Sequence, residues 1–105
     1  MKNTFEKDIK ITFVWNIDKS PASEAEMYEK LFNVLNKFNF DYMNTVCEIS
    51  KEGNEIFSIK LVTDLPKYKT IVIKQEDREL QNAFDKAKQN LQSEVSKVKS
   101  IKRDY

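Results

Sequence analysis

The sequence has no histidine, one glycine, two prolines and a single cysteine in 105 residues. Without histidine the chain lacks the usual general base at neutral pH, the commonest zinc ligand and every triad built on imidazole. A lone glycine, Gly53, leaves no P-loop and no GxGxxG cradle for phosphate. Cys47 alone makes neither an internal disulfide nor a CxxC site; it reads as a small core residue on a strand, in keeping with a reducing cytoplasm. No apolar run approaches the ~20 residues of a membrane span, and the polar start "MKNTFEKDIK" is no signal peptide. Nothing in the sequence places the pairs Asp41/Glu48 and Glu76/Asp77 in an apolar pocket, so they read as solvated acids rather than an acid–base couple. These absences point away from an enzyme, a resident metal or cofactor, a small-molecule substrate and a membrane.

What is present is a foldable chain. Hydrophobic residues make up 40%, with seven Phe, four Tyr and one Trp, which argues against disorder. The length suits one domain spanning 1–105, large enough for a two-layer core. Net charge is +1 but unevenly placed: residues 1–85 carry 12 Lys/Arg against 15 Asp/Glu, and residues 86–105 carry 6 against 2. A body of −3 is thus joined to a C-terminal segment of +4, a hint of an anionic partner.

Ile9, Ile11, Phe13, Trp15 and Ile17 alternate with Lys10, Thr12, Val14 and Asn16, the signature of a strand with one buried face. "DKSPASEAE" then starts a helix, with Ser20 as N-cap and Pro21 at the first helical position. Ser23 and Glu26 offer an alternative capping box. Met27, Tyr28, Leu31, Val34, Leu35 and Phe38 recur at helical spacing, predicting a helix over roughly 22–38. Met43, Thr45, Cys47 and Ile49 restore a period of two. "KEGNE" is a hairpin turn around Gly53, Phe57, Ile59 and Leu61 mark a third strand, and "TDLPKY" is a second turn. "YKTIVIKQ" is a fourth strand, and a final helix runs from about Glu79 to Lys102. The order is β-α-β-β-β-α, an α+β fold with a four-stranded sheet and both helices on one face. Lys10, Thr12, Asn16, Asn44, Glu48, Ser50, Ser58 and Lys60 would face water on the other. Trp15, Phe32 or Phe38, Phe57, Ile59, Phe84, Leu91 and Val95 are the expected core.

On a wheel of ~100° per residue, Leu80, Ala83, Phe84, Ala87, Leu91, Val95, Val98 and Ile101 occupy an arc of about 120°. Lys86 and Lys97 align along one border of that stripe. Lys88, Lys99 and Arg103 line the other, with Lys102 near it. Two readings stay open: lysine stems snorkel along the core edge, or the ammonium groups form rails that straddle phosphates.

The element order, together with the ending "ELQNAFDKAKQNLQSEVSKVK", resembles the ribosome hibernation-promoting factor family, also called ribosome-associated inhibitors. Its last helix carries a pattern of the kind D-x-Y-x-A-I-D-x-x-x-D-K-L-x-R-Q-L-x-K-x-K. Ala83, Phe84 in place of Ile, Asp85, Leu91, Val95 in place of Leu, Lys97 and Lys99 stand at matching positions. "EIFSIKLVTDLPKYKTIVIKQED" reads like the family's third and fourth strands. Asn90 and Ser93 stand where the family usually has Lys and Arg, Glu94 adds a negative charge, and "EKLFNVLNKF" supplies only Lys30 and Lys37. The resemblance implies a cytoplasmic, non-catalytic factor of the family's short form. It would bind the small ribosomal subunit and its rRNA in the mRNA and tRNA channel, inhibiting translation under stress. It would need no cofactor and no metal. Lys30, Lys86, Lys88, Lys97, Lys99, Lys102 and Arg103 would be the RNA-binding residues.

The rival expectation is a small α+β protein-interaction module that dimerises, through an exposed strand edge, or binds a protein partner without touching RNA. The near-neutral net charge favours this rival, and the segregated C-terminal charge disfavours it.

Overall fold

The alternating stretch at Ile9–Trp15 forms strand β1 (Asp8–Trp15). The structure, a computed structural model, describes residues 8–38, 40, 42–53 and 55–103, the last five by backbone alone. Helix α1 (Pro21–Leu35) follows. Ser20 caps it, its hydroxyl accepting from the Ser23 N–H at 3.3 Å, and Pro21 sits where a missing N–H costs nothing. The alternative box at Ser23 and Glu26 is not the one used. Strands β2 (Tyr42–Glu52), β3 (Ile56–Leu65) and β4 (Lys69–Asp77) come next, then helix α2 (Leu80–Arg103). The expected order is therefore observed, with α1 ending at Leu35 rather than near 38.

The sheet order is β1-β2-β3-β4. β2, β3 and β4 form the antiparallel meander that their short turns demand. β1 lies parallel to β2, from Asp8 opposite Tyr42 to Trp15 opposite Ile49, with α1 as the crossover that a parallel neighbour requires. Gly53, at φ +63°, turns the β2–β3 hairpin. Between β3 and β4, Pro66 and Lys67 occupy the corner, and the Tyr68 N–H donates to the Leu65 carbonyl at 2.8 Å. Lys67 has φ +75°, the sign a type II turn asks of its third residue.

Both helices lie on one face. Met27, Leu31 and Leu35 of α1 and Phe84, Leu91 and Val95 of α2 bury against Met43, Cys47, Ile49, Ile59, Leu61 and Ile73 in one cluster. Each such side chain withdrawn from water contributes roughly 1.5–3 kcal/mol. α2 covers β3 and β4 while α1 covers β1. Because β1 is an edge, its inward residues Ile9, Ile11, Phe13 and Trp15 are only half-buried.

Several expected positions differ. Trp15 is half-buried because its indole N–H reaches out to Glu24 Oε1 at 2.7 Å. Phe57 is half-buried at the start of β3, with the Lys51 ammonium 4.9 Å from its ring centre, and stands outside the buried cluster. Phe38 is buried, whereas Phe32 is half-buried and stacks on the exposed Tyr28. Ser58, expected in water, is 2% exposed. It lies between Ser50 and Glu76 across the sheet, and a side chain that small is shielded by its neighbours. The rest of that open face is polar except for Val14 on β1, Ile56 at the start of β3, and a row formed by Val46, Val62 and Val72, which pair across β2, β3 and β4.

Candidate nucleic-acid interface

The apolar arc read from the sequence is the buried side of α2 as far as Val98: Ala83, Phe84, Ala87, Leu91, Val95 and Val98 are all buried, Leu80 packs partly against them, and the side chain of Ile101 lies outside the described residues. Burial of this stripe fixes the rotation of the helix, and so decides where its lysines point. Asp77 anchors the helix start by accepting from the Glu79 N–H at 3.0 Å. That hydrogen bond, followed by those from Lys86, holds the Asp77 carboxyl below the usual carboxylate range.

The two lysine borders have different neighbours. One border faces β4. There the Lys86 ammonium donates to the Glu76 backbone carbonyl at 2.9 Å and pairs with Asp77 at 3.1 Å. Further along the same border Lys97, with its side chain 66% exposed, pairs with Glu94 at 3.2 Å, one turn back. Glu94 also lines a shallow groove of about 330 Å³ against Lys69, Thr70, Ile71, Val72 and Ile73 of β4.

The other border faces α1. Lys30 reaches from α1 across to α2, its ammonium 3.3 Å from Gln81 Oε1 and 3.5 Å from Asp85 Oδ1. Lys88 lies on this side of the helix wheel; it is half-buried and has no charged partner among the described residues. The backbone of Lys99, Lys102 and Arg103 continues α2, and their side chains lie outside the described residues. The structure thus brings Lys30 and the Lys88 border together and sets Lys86 and Lys97 on the opposite flank.

Sequence reasoning noted the negative charge of Glu94 but missed the pairing of carboxylates with the lysines. Asp85, Glu94 and Asp77 each hold one of the candidate cations. The Glu94–Lys97 pair was within reach, because three-residue spacing places both on one side of a helix. The Lys30–Asp85 pair was not, since its partners are 55 residues apart and meet only through packing of the two helices. All three pairs are partly exposed, so solvent screening leaves each only a small contribution to the fold. Among the described residues no grouping of three or more His, Cys, Asp or Glu is placed to hold a metal, and no helix is long and apolar enough to cross a membrane.

No known family's sequence pattern matches the chain, and neither does any curated protein. Solved structures do match. The Thermus thermophilus Protein Y N-terminal domain superposes with a TM-score of 0.71 at 20% identity, covering 86% of this chain and 97% of that one. A ribosomal subunit interface protein from Coxiella burnetii superposes with a TM-score of 0.63 at 18% identity, covering 89% and 98%. This chain has the fold of the Protein Y N-terminal domain over nearly its whole length.

Proposed function

We propose that this protein is a non-catalytic ribosome-binding factor, a single unit over 1–105. It docks on the small subunit through cations of α1 and α2 and, by occupying the mRNA and tRNA channel, inhibits translation. The observation that carries this reading is the fold shared over nearly full length with a protein described as a ribosomal subunit interface protein. Fold alone does not specify function. The second support is local: Lys30, Lys86, Lys88 and Lys97 flank a helix whose apolar side is committed to the core, leaving their ammonium groups to act outward. Lys99, Lys102 and Arg103 extend the same segment. Such a role needs no imidazole, thiol or metal, and its setting is the cytoplasm.

Phosphate neutralisation releases condensed cations, so affinity must fall with salt by roughly 0.7–0.9 log unit per log unit of salt for every contact. Co-sedimentation of the purified protein with small ribosomal subunits at two salt concentrations tests this. Binding that collapses between low and high salt supports the reading; no binding at low salt defeats it.

One observation favours the protein-interaction alternative. β4 is a sheet edge, Val72 is 59% exposed on it, and the groove against Glu94 runs beside it. Self-association with no affinity for ribosomal subunits would replace the ribosome reading with that one.

A further inference from the structure

Three of the four described candidate cations are already engaged by carboxylates of the same chain, as Lys30–Asp85, Lys86–Asp77 and Lys97–Glu94. They are not equivalent. Asp77 caps the first turn of α2, and Lys86 also donates to a backbone carbonyl, so that pair belongs to the fold. Asp85 and Glu94 make no such backbone bond. Each does little beyond holding one lysine, at 3.5 Å and 3.2 Å, on a partly exposed surface. We infer that Asp85 and Glu94 are affinity-setting residues: RNA phosphates must displace them from Lys30 and Lys97, so binding proceeds by exchange of ion pairs and stays readily reversible. This inference rests on the ribosome-binding reading and deepens it.

The physical reason is a competition for the same ammonium protons. A phosphate that takes Lys97 leaves the Glu94 carboxylate beside a polyanion, where it repels the RNA and gathers a cation. Net counterion release per contact is then smaller, and the salt dependence shallower, than for a lysine with no charged partner among the described residues, such as Lys88. Lys30 adds a structural element, because its exchange loosens a bridge between α1 and α2.

The test compares wild type, Asp85→Asn, Glu94→Gln and the double variant for binding to purified small ribosomal subunits across a salt series. A control double variant, Glu48→Gln with Asp64→Asn, removes the same charge from the open face of the sheet. Each amide substitution keeps the shape of the side chain, and thermal melts accompany every measurement. The expected result is a gain in affinity of about two- to fivefold per site, from the size of an exposed ion pair, with a steeper salt slope and melting lowered by no more than the loss of an exposed ion pair. The control should gain less. Unchanged or weakened binding by the double variant overturns the inference while leaving the ribosome reading intact. An equal gain by the control also overturns it, since net charge alone would then account for the effect. Failure of wild type itself to bind at low salt takes down both, and the wild-type arm alone decides that.

Discussion

Thr45 on β2 stands directly opposite Thr63 on β3, with the two hydroxyl oxygens 2.8 Å apart and both residues fully buried. They are the polar contents of an otherwise apolar layer between the sheet and the helices. Replacing either one by Val strands the other hydroxyl without its partner, at a cost of about 1–3 kcal/mol, whereas replacing both removes the unsatisfied group. Denaturant unfolding should therefore show each single variant less stable than wild type and the double variant recovering much of the loss. Additive losses would mean that the hydroxyls do not depend on each other.

Cys47 is fully buried on β2, and burial, helped by the negative charge of Glu24, pushes its thiol from an ordinary 9.0 up to about 12. The folded protein keeps the proton where the unfolded chain gives it up. Between about pH 9 and pH 12 the unfolded state binds fewer protons, so the stability due to this group is complete below pH 9 and declines above it. Comparing wild type with Cys47→Ala isolates this term from other titrating groups: the alkaline decline should be shallower in the variant. In native protein at pH 8 the thiol should be inert to alkylating reagents and react only after unfolding.

Lys67 holds a left-handed backbone, φ +75°, at the β3–β4 corner. A side chain there costs about 1–2 kcal/mol, and glycine removes that strain while adding roughly 0.5–1 kcal/mol of unfolded-state entropy. Lys67→Gly should leave stability unchanged or raise it by up to about 1 kcal/mol, while Lys67→Ile should lower it. A clear loss in the glycine variant would show that the corner is held by the lysine side chain.

Leu91 is fully buried at the centre of the α2 stripe. Leu91→Ala should cost about 2–5 kcal/mol, read from the shift of the denaturation midpoint. A loss well under 1 kcal/mol would contradict the observed rotation of α2, and with it the placement of every lysine on its borders.

The periodic features were legible because each is dictated by one local rule. The helical spacing of Phe84, Leu91 and Val95 set the face of α2, and the alternation around Cys47 set the inward face of β2. The position of β1 was not legible, since alternation marks a face and not a neighbour; its parallel pairing with β2 comes from the α1 crossover. Lys67 carries no compositional sign of positive φ. Ser58 looks like a surface residue, and only the side chains across the sheet shield it. Of the interface, the lysines could be read along the helix, but Asp85 reaches Lys30 only once both helices share a face. Charge counted along a chain overstates what a folded surface offers, because it does not see which charges are already paired.

The central claim is that the borders of α2 meet ribosomal phosphate. It is tested most directly by the salt dependence of small-subunit co-sedimentation for wild type and for Lys97→Glu with Lys99→Glu. The Lys97 side chain is solvent-facing, so the folded helix tolerates the change and the melt should move little. The double variant should lose association by orders of magnitude, and its residual salt slope should fall by about one unit for Lys99 and by less for Lys97, whose phosphate contact displaces Glu94. A folded double variant that co-sediments like wild type at physiological salt would contradict it.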